Sequence, residues 1–283
     1  MTPETIAGLL SGARCALSEA GIETASLDAR LLLQAATGLG PEDFISMPDH
    51  AISPAMAIAF QDLIARRLGH EPVSRILGVR EFYGRPFKVT PAVLDPRPDT
   101  ESVVGLALRR VREGRFIDIG TGSGAIAVTL CAENPNLEGL ATDVSSDALV
   151  IAAQNAEAQG VAGQLRFHQG AWFAGVAGKF DLIISNPPYI RSSENLPPEV
   201  LNFDPHLALF GGDDGLASYR AIAQGAKAHL MPGGTVVLEI GHDQADSVIA
   251  VFRNCNFMLT ERVHDIAGRD RGLAFQAFKP DEK

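Results

Sequence analysis

The chain has 283 residues, with 24 Lys and Arg against 34 Asp and Glu, for a net charge of −10. That length holds one large domain plus a small one, each with its own core. The acidic total argues against a partner that must be tracked along a phosphate backbone. Three scattered cysteines, without Cys-x-x-Cys or His/Cys ligand spacing, point to free thiols and no metal site.

The first residues, Met1-Thr2-Pro3-Glu4, lack the basic and apolar segments of a secretory leader. The longest charge-free run near the middle, residues 119–132, carries three glycines and is too short to span a bilayer. A cytoplasmic protein is expected.

Residues 1–75 read as a small helical domain. Ile6, Leu9, Leu10, Ala13, Ala16 and Leu17 recur at helical spacing. Ser26 opens a second helix carrying Leu27, Leu31 and Leu32, ended by Gly38. Ser53-Pro54 is a cap with proline at the first helical position, ahead of Met56, Phe60, Leu63 and Ile64.

Residues 76–95 form a linker. Phe82-Tyr83 and Phe87-Lys88-Val89 flank Gly84-Arg85-Pro86, which predicts a β-hairpin.

From residue 96 to 283, strands and helices alternate. Strands are predicted at 116–119, 139–143, 165–168, 181–185, 235–240, 257–263 and 273–278, and helices at 125–133, 146–159 and 216–229. That alternation predicts an α/β domain with a doubly wound, mostly parallel sheet.

Four strand ends carry chemistry. The first runs into Gly120-Thr121-Gly122-Ser123-Gly124, where glycines let the backbone turn and approach a ligand. This is neither the Gly-x-Gly-x-x-Gly dinucleotide pattern nor a P-loop, since no Lys-Ser/Thr follows. Asp118-x-Gly-x-Gly-x-Gly resembles the S-adenosylmethionine loop of Rossmann-like methyltransferases. Asp143 ends the next strand, where an acid either accepts hydrogen bonds from ribose hydroxyls or caps a helix. Ser145 and Ser146 are rival caps, which leaves Asp143 freer for a ribose. Trp172 follows the third strand and lies either against an adenine ring or in the core.

The fourth strand ends in Asn186-Pro187-Pro188-Tyr189. Two prolines make a rigid turn. The turn also sets an amide oxygen and a proline carbonyl at the sheet edge where ligands bind. Two such acceptors grip both hydrogens of a planar NH₂ group, which suits methylation of an amide or exocyclic amine nitrogen. Upstream, Pro96-Arg97-Pro98-Asp99-Thr100-Glu101 opens a helix. Thr100 or Asp99 either caps that helix or lines the pocket.

Together these segments resemble the release-factor glutamine N5-methyltransferase family (HemK/PrmC) over nearly the whole chain. The resemblance rests on Asp28-Ala-Arg-Leu-Leu-Leu, Arg66-Arg67 with Glu71-Pro72, Ile76-Leu77-Gly78, Arg80-Glu81-Phe82-Tyr83-Gly84 and Pro96-Arg97-Pro98-Asp99-Thr100-Glu101. It continues through the glycine loop, Asn186-Pro187-Pro188-Tyr189-Ile190, Gly211-Gly212 with Asp214-Gly215-Leu216, Glu239-Ile240-Gly241 with Gln244, and residues 265–271.

The resemblance implies a class I S-adenosylmethionine-dependent methyltransferase sheet behind a helical substrate-docking domain. Asp118, Gly120, Thr121, Gly122, Ser123, Gly124, Asp143, Trp172 and Asn186 are expected to contact S-adenosyl-L-methionine. Asn186, Pro187, Pro188 and Tyr189 are expected to hold the substrate glutamine, with Asn186, Pro187 and Tyr189 catalytic. The implied substrate is the glutamine of the Gly-Gly-Gln loop in class I peptide chain release factors, met by a monomer. Two positions depart from the family: Ala171 stands where an acid is usual, and Asp204-Pro205-His206 replaces Glu-Pro-Arg. Rival readings are a glutamine methyltransferase for a ribosomal protein, a DNA or RNA amino-methyltransferase, and a non-catalytic binding module.

Overall fold

The structure, a computed structural model, describes residues 4–278. In chain order the helical part comprises α1 (Ile6–Glu19), α2 (Ala25–Thr37), α3 (Pro41–Ser46), α4 (Pro54–Leu68) and α5 (Val73–Leu77). A two-stranded hairpin follows, β1 (Val79–Phe82) and β2 (Arg85–Lys88). The remainder runs α6 (Thr100–Arg110), β3 (Gly114–Ile119), α7 (Ala125–Glu133), β4 (Leu137–Asp143), α8 (Ser146–Ala158), β5 (Leu165–Gln169) and β6 (Phe180–Ser185). It closes with α9 (Pro198–Phe203), α10 (Ala217–His229), β7 (Leu230–Glu239), α11 (Ala245–Asn254), β8 (Phe257–His264) and β9 (Asp270–Ala277).

Contacts divide the chain into two units. One holds the residues up to Val79 together with Pro197–Phe203; the other holds Arg80–Leu196 and the chain from Asp204 onward.

In the helical unit, Leu9, Ala13 and Leu17 of α1, Ala29, Leu32 and Leu33 of α2 and Phe60 and Ile64 of α4 face one another in a single apolar cluster. α1 and α4 each begin at a side chain that satisfies a free N–H group. Thr5 accepts from Gly8 at 3.2 Å and Ser53 from Met56 at 3.3 Å. A buried ion pair crosses this unit: Arg67 donates to Asp28 at 2.7 Å, and its other end to Glu199 of α9 at 2.8 Å.

In the larger unit, seven strands lie in the order β5-β4-β3-β6-β7-β9-β8. The pairs from β5 through β7 are parallel, and β9 is antiparallel to both β7 and β8. Successive strand residues serve opposite faces, as the pleat requires. Phe116, Leu182 and Ile184 join Val104, Leu130 and other residues of α6 and α7 on one face. Ile117, Ile183 and Val236 join Tyr219, Ile222 and Phe252 of α10 and α11 on the other. The sheet is covered on both sides, which explains its continuous apolar strands.

The chain winds from β3 outward through β4 to β5, then returns to the other side of β3 to form β6. The loops leaving β3, β4 and β6 therefore diverge at one switch point, the place where a crevice opens in such sheets.

β7 starts at Leu230, five residues before the predicted strand, and pairs with β6 through an irregularity between Phe180 and Leu182. No helix among the described residues is long and apolar enough to cross a membrane.

Candidate active site

A cavity of about 540 Å³ opens at the switch point. Its walls include Gly120 and Gly122 after β3, Asp143 after β4, Trp172 after β5, and Asn186, Pro187 and Pro188 after β6. Four loops that are distant in sequence thus meet, because four parallel strands end at one edge.

The glycine loop is shaped by backbone contacts. Gly120 and Thr121 both donate to the Thr142 carbonyl at 2.9 Å. Gly120 and Gly122 take positive φ of 72° and 56°, and a Cβ built on either would meet no atom within 4 Å. Their missing side chains therefore leave open space beside bare backbone, the surface a ligand needs for close approach. The other predicted loop residues lie behind that surface. Thr121 donates its hydroxyl to Asp118 at 2.6 Å, the Ser123 carbonyl accepts from Asn155 at 2.8 Å, and Gly124 packs against Ala152 of α8. Asp118 is fully buried with one oxygen unpartnered. Burial pushes its carboxyl up to about 7, with the neighbouring Asp143 charge acting in the same direction.

Asp143 does not cap α8. Ser145 does, accepting the Ala148 N–H at 3.2 Å. The two Asp143 oxygens instead accept backbone N–H groups of Gly122 and Ser145, each at 2.9 Å. Each oxygen keeps a lone pair, and Asp143 lines the cavity, so it can also accept ligand hydroxyls.

Trp172 lines the cavity and also packs against the apolar layer under α10 and α11. Its φ of 55° is rare for a large side chain and costs conformational energy. Ala171 lines the cavity beside it, so no carboxylate stands at that position.

The loop after β6 is fixed on several sides. Ser185 donates to the Ile119 carbonyl at 2.6 Å. Pro187 is buried, and Asn186 donates its amide N–H to the Thr100 hydroxyl at 3.4 Å. Gln244 donates to the Tyr189 carbonyl at 3.0 Å, while its own carbonyl accepts from Gly241 at 3.1 Å. A Cβ at Gly211 would lie 2.6 Å from the Pro188 carbonyl, so only glycine lets that turn approach. Tyr189 does not line the large cavity. It borders a neighbouring one of about 300 Å³ with Arg191, Glu194, His242 and Gln244. Burial pushes its phenol up to about 12, with the Glu239 carboxylate adding to the effect.

The cavity also has walls that no motif marked: Ala92, Val93 and Leu94 ahead of α6, and Pro205, Leu207 and Ala208. These residues carry no chemical signal. Only the departure at residues 204–206 drew the sequence reading near them. Asp204 is held in place by Arg97 at 2.6 Å.

Residues 8–78 match the PrmC N-terminal domain, and residues 101–201 match the methyltransferase small domain. The release factor glutamine methyltransferase of Cereibacter sphaeroides is 46% identical over 258 residues, covering 90% of this chain and 92% of the relative. That of Agrobacterium fabrum is 42% identical over 281 residues, covering 96% of this chain and 97% of the relative. A methyltransferase structure from Pyrococcus furiosus superposes with a TM-score of 0.54 at 20% identity, over 76% of this chain and 98% of that one. That likeness shows the class I methyltransferase sheet.

Proposed function

The chain belongs to the release factor glutamine methyltransferase family, and we propose that its cavity binds S-adenosyl-L-methionine beside the loop that presents a substrate glutamine. The reaction transfers a methyl group to the side-chain amide nitrogen (N5) of the glutamine in the Gly-Gly-Gln loop of class I peptide chain release factors. The observation that carries this reading is the meeting of Gly120, Gly122 and Asp143 with Asn186 and Pro187 around one cavity.

The residues present fit the cofactor. Bare backbone at Gly120 and Gly122 faces open space, Asp143 offers acceptors for ribose hydroxyls, and Trp172 offers an aromatic wall. When bound, the cofactor supplies an electrophilic methyl on a sulfonium.

The glutamine amide nitrogen is a weak nucleophile because its lone pair is delocalised into its carbonyl. The Asn186 side-chain oxygen and the Pro187 carbonyl accept its two N–H bonds and aim the lone pair at the methyl carbon. Gly120, Gly122, Asp143 and Trp172 would hold the cofactor, which would supply that methyl and leave as the neutral thioether. The N-methylated amide then sheds its proton to water, so none of the seven histidines is needed as a base. The chain contributes positioning and preorganised dipoles. Tyr189, the last residue of this loop and a wall of the neighbouring cavity, would shield the loop from solvent.

The test is transfer of labelled methyl from S-adenosylmethionine to a purified class I release factor, beside the same factor with its Gly-Gly-Gln glutamine changed to alanine. Label on the first alone supports the reading. Label on both, or on neither while the cofactor binds, overturns it and directs the search to ribosomal proteins first.

A further inference from the structure

Thr100 is the first residue of α6, yet that helix start has no side-chain cap. Its hydroxyl is almost wholly buried and turned to other work. It accepts the amide N–H of Asn186 at 3.4 Å, and the buried carboxylate of Glu239, at the end of β7, stands beside it as an acceptor. Glu239 is itself 1% exposed, and one of its carboxylate oxygens, Oε2, is buried without a partner. We propose that Thr100, backed by Glu239, is a positioning residue that sets which end of the Asn186 amide faces the reacting nitrogen. This rests on the reading that Asn186 accepts a hydrogen bond from the substrate amide.

Hydrogen-bond supply decides the orientation. A threonine hydroxyl has one hydrogen and two lone pairs; a carboxylate only accepts. If Thr100 gives its hydrogen to the Glu239 carboxylate, it offers Asn186 only a lone pair, as the observed Asn186 N–H to Thr100 bond requires. Asn186 must then turn its NH₂ toward Thr100, which leaves its oxygen toward the cavity. An amide is nearly symmetric in shape, so packing alone discriminates poorly between its two orientations. The opposite one would set an NH₂ against the substrate NH₂ and abolish the grip.

The same chain of bonds has an acid limit. A protonated Glu239 can donate to Thr100, which frees the threonine hydrogen for the Asn186 oxygen and permits the unproductive orientation. Glu239 is faced by Arg271 of β9, by Asp99 and Arg97 of the segment before α6, and by Tyr189. Tyr219 of α10 donates to its backbone carbonyl at 3.1 Å. Burial pushes its carboxyl up to about 7, against the pull of Thr100 and Arg271. Turnover should therefore rise with pH through the neutral range.

The test compares Thr100→Val, Thr100→Ser, Glu239→Gln and Asn186→Ala in methyl transfer to a release factor, with cofactor Kd measured for each. Valine keeps the shape and removes the hydroxyl. It should cost about tenfold or more in kcat at unchanged cofactor Kd. Serine restores the hydroxyl and should recover most of the loss. Glu239→Gln should remove the neutral-range rise in the pH–kcat profile, a readout that loss of packing would not move. Wild-type kcat in Thr100→Val, or serine as impaired as valine, overturns the proposal. So does a Glu239→Gln profile that keeps its rise, which decides the matter if the valine variant does not fold. Normal turnover by Asn186→Ala would instead overturn the underlying reading of the site.

Discussion

Asp143 accepts the backbone N–H of Gly122 at 2.9 Å, so the acid at the end of β4 braces the glycine loop at the end of β3. One carboxylate thus supports the loop from within and faces the cavity with its remaining lone pairs. Asp143→Ala should weaken cofactor binding by about 10- to 100-fold, the loss of one or two charge-assisted hydrogen bonds. Titration calorimetry with S-adenosylmethionine measures it. An unchanged Kd would confine Asp143 to bracing the loop.

Asn186→Ala should keep the fold and the cofactor and lose turnover. Removing one preorganised hydrogen bond at a reacting centre costs about 3 kcal/mol, a hundredfold or more in rate. Steady-state kinetics beside a cofactor titration separates the two effects. A variant that binds cofactor and turns over normally would remove Asn186 from the mechanism.

The helical unit should be sensitive at Asp28. Arg67 is 4% exposed, and Asp28 is 5% exposed. Removing one partner strands a buried charge, so Asp28→Ala should cost about 3–5 kcal/mol. Thermal unfolding reads this directly, and a loss below about 1 kcal/mol would mean that Glu199 alone satisfies the guanidinium.

Stability should also depend on two buried acids. Asp118 and Glu239 sit near 7 in the folded chain, above the value of about 4 for exposed carboxyls. Between those values the folded chain holds protons that the unfolded chain has released. Their contribution to stability is therefore largest at low pH and falls as pH rises through this window. Asp118→Asn should flatten that part of the curve relative to wild type. Urea midpoints at pH 5, 6 and 7 provide the comparison; parallel curves would show that Asp118 does not titrate there.

Much of the site is legible before folding, because its signals sit where apolar strand runs stop. The runs ending at Ile119, Asp143 and Ser185 place Gly120, Asp143 and Asn186 at one edge once the strands are parallel. Other features left no such trace. None of the α9 residues is buried, so no apolar period marks the helix. The start of β7 contains Pro232, Gly233 and Gly234, which read as a turn although the segment pairs through an irregularity. The roles open to Thr100 could be separated only by seeing where its hydroxyl points. Ala92, Val93 and Leu94 line the cavity through apolar surface alone.

The grouping of Pro197–Phe203 with the helical unit bears on how this protein can be taken apart. The chain passes between its two units at residues 79–80, again at 196–197 and again at 203–204. These are therefore not two modules in tandem that one cut would separate. A chimera that borrows the helical unit of a relative must also borrow the seven residues around Glu199. Otherwise Arg67 arrives without one of its two carboxylates.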